Sequence, residues 1–195
     1  MRLFRKAYNK ETDEQLMIAF GKGDKKAFDE IYVRYNRMLY GYFLNMLWRD
    51  EEKAEDMVHD LFAKLIKNPQ LFDTDRSFRV WLFSVAANQC KNEYKRMGVR
   101  KNTRNGADEM THVAGSENVL FAVQNQQFKV AFENELQQLE DKHRDVFTLR
   151  HIDGLSIKEI AEITGANEGT VKSRLFYATK YLAEKLKAFH PQLNM

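Results

Sequence analysis

The sequence predicts an all-α protein whose two small helical domains are joined by a flexible linker. Apolar residues recur at steps of three and four along most of the chain, which is the spacing of amphipathic helices. Two prolines and nine glycines among 195 residues argue against turn-rich β-structure. A central stretch from Lys95 to Val119 has no apolar period and holds three glycines. We therefore place the first domain at residues 10–97, the basic linker at 98–127 and the second domain at 128–190.

The composition restricts the class of protein. Apolar residues make up 44% of the chain, which is enough for hydrophobic cores, and the net charge is +3. The single cysteine, Cys90, excludes a disulfide within the chain and a cysteine-based zinc site, and we expect it to be buried and reduced. The basic N-terminal segment lacks the apolar run of a secretory signal, and no stretch approaches the roughly 20 apolar residues of a membrane span. We expect a soluble cytoplasmic protein without membrane insertion.

The first domain is predicted to hold a short helix near residues 13–20 and three longer helices. The apolar stripe from Lys26 to Leu47 predicts the first long helix. Asp50 is a suitable N-cap for the second, and Pro69 ends it because proline disfavours helical backbone in the residue before it. The polar loop Asp73–Ser77 leads into the third long helix.

The third long helix carries aromatic residues beside amides and bases. Phe78, Trp81 and Phe83 are followed by Asn88 and Lys91. Aromatic rings interleaved with cations suit single-stranded nucleic acid, because bases stack on the rings. The same rings at helical spacing also suit a hydrophobic core, so these residues alone leave both interpretations open.

The second domain ends in the pattern of a helix-turn-helix. Ser156 is the expected N-cap of a short helix, Gly165 supplies the positive φ of its C-terminus, and Asn167 is the next N-cap. Ala161 permits a close crossing of the two helices, and Val171 packs beneath the turn. An ordinary helical hairpin with solvated cations is the alternative interpretation.

The second helix of such a motif enters the major groove of DNA with its first residues near base edges. A lysine can reach guanine or phosphate, a serine can bond either base type, and an aromatic ring can touch a thymine methyl group. The candidate residues are Glu168, Thr170, Lys172, Ser173, Phe176 and Tyr177.

Four segments together resemble the extracytoplasmic-function (ECF) sigma factors of bacterial RNA polymerase. In order they read "AFDEIYVRYNRMLYGYFLNML", "AEDMVHDLFAKLIKN", "SFRVWLFSVAANQCKNEYKR" and "LEDKHRDVFTLRHIDGLSIKEIAEITGANEGTVKSRLFYATKYL". The resemblance covers about Ala27 to Leu186 apart from the linker. It implies the second and fourth domains of sigma factors, and an alternative sigma factor that binds the β′ clamp and β flap of core RNA polymerase and directs promoter-specific initiation.

In the first domain the resemblance implies a pocket for a base that flips out of the minus-ten element. Phe72 and Asn88 match the positions that cradle this base, and an extruded base needs an apolar wall and an amide for its Watson–Crick edge. Trp81 and Phe83 match aromatic positions at the melting edge. The residues expected at the single-stranded minus-ten element are Phe72, Asp73, Thr74, Asp75, Arg76, Ser77, Trp81, Phe83, Asn88 and Lys91.

The resemblance also implies contacts with polymerase and with double-stranded DNA. The segment that matches the clamp-binding helix offers Glu55, Asp56, Asp60, Leu61 and Phe62. The positions that match the minus-thirty-five surface are Arg150, Ser156, Thr170, Lys172, Ser173, Arg174, Phe176 and Tyr177. The family usually has Leu-Pro where this chain has Leu139-Glu140, which leaves the start of the fourth-domain helix open. Arginine is frequent in the family at the position of Tyr177, so promoter preference is not carried over. An anti-sigma factor is implied as a further partner, and no catalytic residue, metal or cofactor is expected.

Three alternative functions remain open at the level of sequence. A helix-turn-helix activator that is not a polymerase subunit would need a receiver domain of alternating strands and helices, and residues 1–100 show only helical periods. The pair His59-Asp60 occurs in metal phosphohydrolases, but the other histidines lack ligand spacing and no phosphate-binding loop is present. A helical interaction module without DNA binding is the third alternative.

Overall fold

The computed structural model describes residues 8–101 and 119–189, and their regular structure is helical throughout, with no strand among these residues. The eight α-helices in this part of the chain are α1 Asp13–Gly21, α2 Lys25–Met46, α3 Glu51–Lys67, α4 Phe78–Lys101, α5 Val119–Gln138, α6 Asp141–Phe147, α7 Ile157–Thr164 and α8 Glu168–Lys185. A π-helical turn at Thr148–Ile152 continues α6. The prediction of an all-α fold is confirmed. No helix in the described ranges combines the length and the apolarity that crossing a membrane requires.

Local capping fixes where the helices of the first half begin. Thr12 and Gln15 form a reciprocal capping box at the start of α1. Asp50 caps α3 as predicted, since its side chain accepts the N–H of Lys53 at 2.9 Å. Between α2 and α3 the chain turns through Trp48 and Arg49, which both have positive φ, a conformation that side chains with a Cβ rarely adopt.

The first half packs α1 to α4 around a buried core. Tyr32 of α2 meets Phe62 of α3 with ring centroids 4.8 Å apart. Phe78, at the start of α4, packs edge-on against Tyr35 of α2 at 5.5 Å. Cys90 is buried as expected, and burial raises the pKa of its thiol, so the thiol is not reactive at neutral pH.

The second half contains the predicted helix-turn-helix in α7 and α8. Ser156 and Glu159 form a capping box at the start of α7. Gly165 ends α7 in the left-handed conformation with φ 69°. Asn167 then accepts the N–H of Thr170 at 2.7 Å and caps α8, while Val171 is fully buried beneath the turn.

The two halves pack directly against each other. One hydrophobic cluster runs from the core of α1–α4 into the second half, where it includes Val146, Leu149, Leu155 and Ile160. Helix α4 lies against α7, so the helix with the predicted minus-ten residues contacts the first helix of the helix-turn-helix. A second cluster joins α5, α6 and α8. The molecule in this structure is therefore closed, with a shared core between halves that the sequence analysis treated as separate domains.

The predicted linker at 98–127 is shorter in the structure than the composition indicated. Helix α4 continues to Lys101, and α5 begins at Val119. A started helix is extended at little cost in free energy, so a stretch without an apolar stripe can still continue a helix that packing has nucleated. Residues 102–118 of the predicted linker, including Arg104, and the end of the predicted second domain at residue 190 lie outside the described residues.

Candidate nucleic-acid interface

The loop that precedes α4 is exposed and braced by its own hydrogen bonds. All five residues of Asp73–Ser77 are exposed. The carboxylate of Asp73 accepts the N–H of Asp75 at 3.1 Å, and its carbonyl accepts the N–H of Arg76 at 3.1 Å. Two hydrogen bonds within the loop therefore hold its backbone, and its exposed side chains can contact a ligand.

Two aromatic residues predicted at the minus-ten surface lie in the core of this structure. Phe72 is 4% exposed, and its ring packs against Phe78 at 5.0 Å and Trp81 at 5.4 Å. Phe83 is 0% exposed and packs edge-on against Tyr42 at 5.6 Å. Trp81 is half-buried. Neither Phe72 nor Phe83 presents a free ring face to a base in the closed molecule. The base pocket at Phe72 and the melting-edge role of Phe83 therefore stay predictions that require rearrangement.

The polar residues predicted on α4 are accessible. Asn88 and Lys91 are exposed, and so are Asn92 and Lys95 at helical spacing from them. These four residues define a polar stripe along one side of α4. The stripe, together with the exposed loop Asp73–Ser77, is the part of the predicted minus-ten surface that solvent reaches.

The predicted polymerase contacts divide into exposed acidic residues and buried apolar residues. Glu55, Asp56 and Asp60 are exposed on α3. Leu61 and Phe62 are 2% and 3% exposed and belong to the core of the first half. The accessible face of α3 is therefore acidic, and its apolar residues serve packing in this structure. The apolar spacing of α3 was the signal for the burial of Leu61 and Phe62, since both fall in its apolar stripe.

A polar groove of about 390 Å³ separates α3 from α4, and the sequence analysis did not anticipate it. Its walls include Asp56 and Asp60 from α3. The buried carboxylate of Glu93 at one end pairs with Lys53 at 3.2 Å and with Arg96 at 3.1 Å. The pair of Glu93 and Arg96 could have been predicted from the sequence, because side chains three residues apart on a helix are neighbours.

The exposed face of α8 carries the predicted base-reading residues. Lys172 and Ser173 are exposed, and Phe176 and Tyr177 are 62% and 58% exposed. Exposed aromatic side chains of this size on a short helix indicate a binding surface. Thr170 and Arg174 lie at the edge of this face and are half-buried.

Arg150 and Ser156 are exposed, and both also form hydrogen bonds that stabilise the helix-turn-helix. Arg150 is exposed, yet its guanidinium donates to the carbonyl of Leu155 at 2.9 Å. The hydroxyl of Ser156 accepts the N–H of Glu159 at 3.2 Å, and its backbone N–H donates to the Glu159 carboxylate at 2.8 Å. Both residues therefore stand at the N-terminus of α7, where a phosphate is favoured.

A polar seam between the two halves was missed entirely by the sequence analysis. Tyr42 of α2 donates its hydroxyl to the carboxylate of Asp145 at 2.8 Å, and both side chains are buried. The guanidinium of Arg144 lies 5.1 Å from the centre of the Trp48 ring, which is cation–π distance. The further contacts of the seam are Gln137 with the Asn45 carbonyl, Arg49 with Glu133, and Arg79 with the Asp153 carbonyl.

Burial shifts the titration of the acids in this seam. It raises the pKa of Asp145, although the hydrogen bond from Tyr42 acts in the opposite direction. It raises the pKa of Asp153 to about 7, while the nearby charge of Arg79 lowers it. Neutral carboxyl groups are thus favoured at the seam more than at the surface.

The seam also contains buried polar atoms without partners. Within the described part of the chain no hydrogen-bonding group reaches Nε of Arg79, Nε of Arg144, Oγ1 of Thr148 or Oδ2 of Asp153. An unpaired buried polar atom costs about 1–3 kcal/mol. The shared core favours closure, and these unpaired atoms oppose it.

Comparison with known families matches the two halves of the chain to two separate family profiles. The family profile for sigma-70 region 2 matches residues 31–99, and that for sigma-70 region 4 matches residues 129–182. The first covers most of α2, all of α3 and most of α4, and the second covers α7 and most of α8.

Relatives resemble the chain over almost its full length. The RNA polymerase sigma-H factor of Pseudomonas aeruginosa is 27% identical over 184 residues, which cover 91% of this chain and 95% of that protein. The ECF RNA polymerase sigma-E factor of Escherichia coli K12 is 29% identical over 187 residues, which cover 90% of this chain and 95% of that protein.

Two solved structures share the fold. CnrH in complex with the cytosolic domain of CnrY matches 91% of this chain and 99% of its own, with a TM-score of 0.67 and 24% identity. The sigma factor RpoE in complex with the anti-sigma factor NepR from Bartonella quintana matches 83% of this chain and 98% of its own, with a TM-score of 0.67 and 24% identity.

Proposed function

The chain belongs to the sigma-70 family and to its ECF group, and from this premise we propose how its residues divide the work of promoter recognition. It is an alternative sigma factor that binds core RNA polymerase and directs transcription initiation. The first half engages the polymerase clamp and the minus-ten element, and the second half engages the β flap and the minus-thirty-five element. The observation that carries this division is the exposed lysine and aromatic face of α8 on a helix-turn-helix whose capping is complete.

The clamp contact uses the acidic face of α3. Glu55, Asp56 and Asp60 are exposed on it and would attract a basic partner helix. The buried Leu61 and Phe62 hold that face in place from below. This assignment predicts that charge reversal at Asp60 weakens polymerase binding more than it weakens the fold.

The minus-ten contact uses the loop Asp73–Ser77 and the polar stripe of α4. The amide of Asn88 can bond the Watson–Crick edge of an extruded base, and Lys91 can bond its phosphate. The core rings of Phe72 and Trp81 lie beneath the loop and can form the apolar wall once the loop moves. Captured bases favour the open strands, which supplies free energy for melting.

The minus-thirty-five contact places the first turns of α8 in the major groove. Lys172 and Ser173 reach base edges there, and Phe176 and Tyr177 offer apolar contact to thymine methyl groups. Thr170 and Arg174 flank this surface, while Arg150 and Ser156 approach the phosphates. Each neutralised phosphate should steepen the salt dependence of binding by about 0.9 in log–log slope.

The closed molecule must open to serve both elements at once. Elements 25 base pairs apart are separated by about 85 Å along the DNA axis, at about 3.4 Å per base pair. A compact body of this chain length has a radius of gyration of about 16 Å and is about 40 Å across. The seam around Tyr42 and Asp145 therefore separates in the promoter complex, and the basic linker between α4 and α5 spans the gap along the polymerase.

Two further properties follow from the proposed role. Sigma factors are not catalysts, and we assign this chain no covalent chemistry, metal or cofactor. Its place of action is the cytoplasm, where core polymerase works. CnrH and RpoE are each described in complex with a partner chain, in the case of RpoE an anti-sigma factor, and we propose an anti-sigma factor for this chain too.

Run-off transcription tests the proposal. Purified chain is mixed with core polymerase and a library of promoter fragments, and the RNA ends are mapped. Transcripts that start downstream of a shared pair of elements are expected, and they should depend on Lys172. If the chain neither associates with core enzyme nor starts RNA synthesis on any fragment, the proposal is wrong, and DNA binding without polymerase binding would favour the helix-turn-helix activator.

A further inference from the structure

The start of α4 lacks a good local cap. Asp50, Ser156 and Asn167 cap their helices through side-chain oxygens 2.7–3.2 Å from a backbone nitrogen. At α4 the hydroxyl of Ser77 lies 3.4 Å from the nitrogen of Val80, which is beyond the normal range for such a bond. The first turn of α4 therefore needs a partner from elsewhere, because its N–H groups have none within the helix.

Glu14 of α1 supplies that partner across 64 positions of sequence. Its carboxylate accepts the N–H of Phe78, the first residue of α4, at 2.9 Å. Burial acts to raise the pKa of Glu14, but hydrogen bonds from Phe78 and from other groups outweigh burial and lower it. The carboxylate is therefore ionised at neutral pH and lies at the positive end of the α4 dipole, where a negative charge is stabilising.

Helix α1 is also bonded to α2 beside Glu14, and these bonds help to hold Glu14 in place. The guanidinium of Arg34 donates to the carboxylate of Asp13 at 2.7 Å and to the carbonyl of Glu11 at 3.1 Å. The hydroxyl of Tyr35 donates to the other oxygen of Asp13. Helix α1 thus joins a rigid part of α2 to the first turn of α4.

Phe78 stands where the two ends of the exposed loop meet. Its ring is buried and packs edge-on against Phe72 at 5.0 Å, and the loop Asp73–Ser77 closes between these two residues. A backbone fixed at Phe78 fixes both the end of the loop and the direction in which α4 presents Asn88.

We propose that Glu14 is a positioning residue for minus-ten recognition. It does not touch DNA, and it acts by holding the Phe78 backbone so that the loop and the α4 stripe keep the geometry that captures an extruded base. This inference rests on the proposed function of the loop and α4. It adds a residue of α1 that neither the helical spacing nor the family resemblance had singled out.

Three variants test the role of Glu14. Glu14→Ala removes the acceptor, Glu14→Gln keeps an amide oxygen that can accept the Phe78 N–H, and Asp50→Ala removes the local cap of α3 as a matched control. Open promoter complexes are measured by permanganate reactivity of unpaired thymines at equal holoenzyme concentration. One lost hydrogen bond predicts about a fivefold decrease for the alanine variant. We expect the glutamine variant and the Asp50 control to stay within about twofold of wild type.

The result for Glu14→Ala separates the proposal from its rivals. If Glu14→Ala holoenzyme opens the promoter as well as wild type does, the positioning role is overturned. The same holds if Glu14→Ala weakens core polymerase binding as much as it weakens promoter opening. An alanine variant unfolded at the assay temperature would overturn it too, because Glu14 would then serve the whole fold. If wild-type holoenzyme opens no promoter, the proposed function fails instead. Amide exchange at Phe78 still reports on the contact in that case, with faster exchange expected for alanine and unchanged exchange contradicting the hydrogen bond.

Discussion

Replacing Tyr42 by phenylalanine should loosen the closed arrangement without disturbing the core. The ring would keep its edge-on contacts with Phe83 at 5.6 Å and with Phe43 at 5.8 Å, because these do not involve the hydroxyl. Only the hydrogen bond to Asp145, at 2.8 Å, is removed. The substitution therefore tests the seam and leaves packing volume almost unchanged.

The expected effect is about 2 kcal/mol. The substitution removes the donor and leaves the buried carboxyl group of Asp145 without this partner. An unsatisfied buried polar group costs about 1–3 kcal/mol. A change of 2 kcal/mol lowers the ratio of closed to separated molecules by about 30-fold. If polymerase binds the separated form that the proposed function requires, the apparent affinity for core enzyme should rise as the fraction of separated molecules rises.

The two tryptophans of the chain allow the seam and the core to be followed separately. Trp48 lies at the seam beside Arg144, and Trp81 lies in the first half beside Phe72. In a Trp81→Phe background, urea titration of Trp48 fluorescence should show an earlier transition for Tyr42→Phe. Tyr40→Phe is the matched control, because it removes a hydroxyl from the side of α2 that faces Glu51 and Glu55. A difference below about 0.5 kcal/mol, or weaker polymerase binding, would refute the reasoning.

Three further predictions concern pH, capping and DNA contact. The folded pKa of Asp153 is raised from 3.8 to about 7, so its contribution to closure is present at low pH and is lost as pH rises through 7. Between pH 6 and pH 8 the wild type should lose about 1.4 kcal/mol of closure that Asp153→Asn does not lose, and equal pH profiles would contradict this. Asn167→Ala removes the α8 cap and should lower the free energy of unfolding by about 1 kcal/mol, so an unchanged melting temperature would count against the cap. Lys172→Ala should weaken binding to the upstream element and leave polymerase binding unchanged. Lys180→Ala, on the same helix, should leave both binding activities unchanged. A pull-down in which Lys172→Ala loses DNA binding and polymerase binding together would disprove the assignment of Lys172.

Features set by short-range chemistry could be predicted from the sequence. Asp50, Ser156 and Asn167 were recognised as caps because the capping bond spans only three residues. Gly165 was recognised because a left-handed helix end strongly favours glycine. The two-domain order was likewise visible in the apolar period and its interruption.

Features set by long-range packing could not be predicted. Phe72 and Phe83 have the composition of a stacking surface and of a core alike, and only their neighbours in space decide between the two. The bond between Tyr42 and Asp145 joins residues 103 positions apart, and the carboxylate of Glu14 meets α4 across 64 positions. No periodicity within one helix contains information about such pairs.

The separation of the two halves on a promoter is the central physical claim. Cysteines introduced at Lys26 on α2 and Lys180 on α8 can carry a donor and acceptor dye, since both side chains are exposed and the native Cys90 is buried. Energy transfer is then measured in the free chain and in the complex with core polymerase and promoter DNA. We predict a distance within the roughly 40 Å of a compact body in the free chain and an increase toward about 85 Å in the promoter complex. An unchanged distance in a complex that actively starts RNA synthesis would contradict the account.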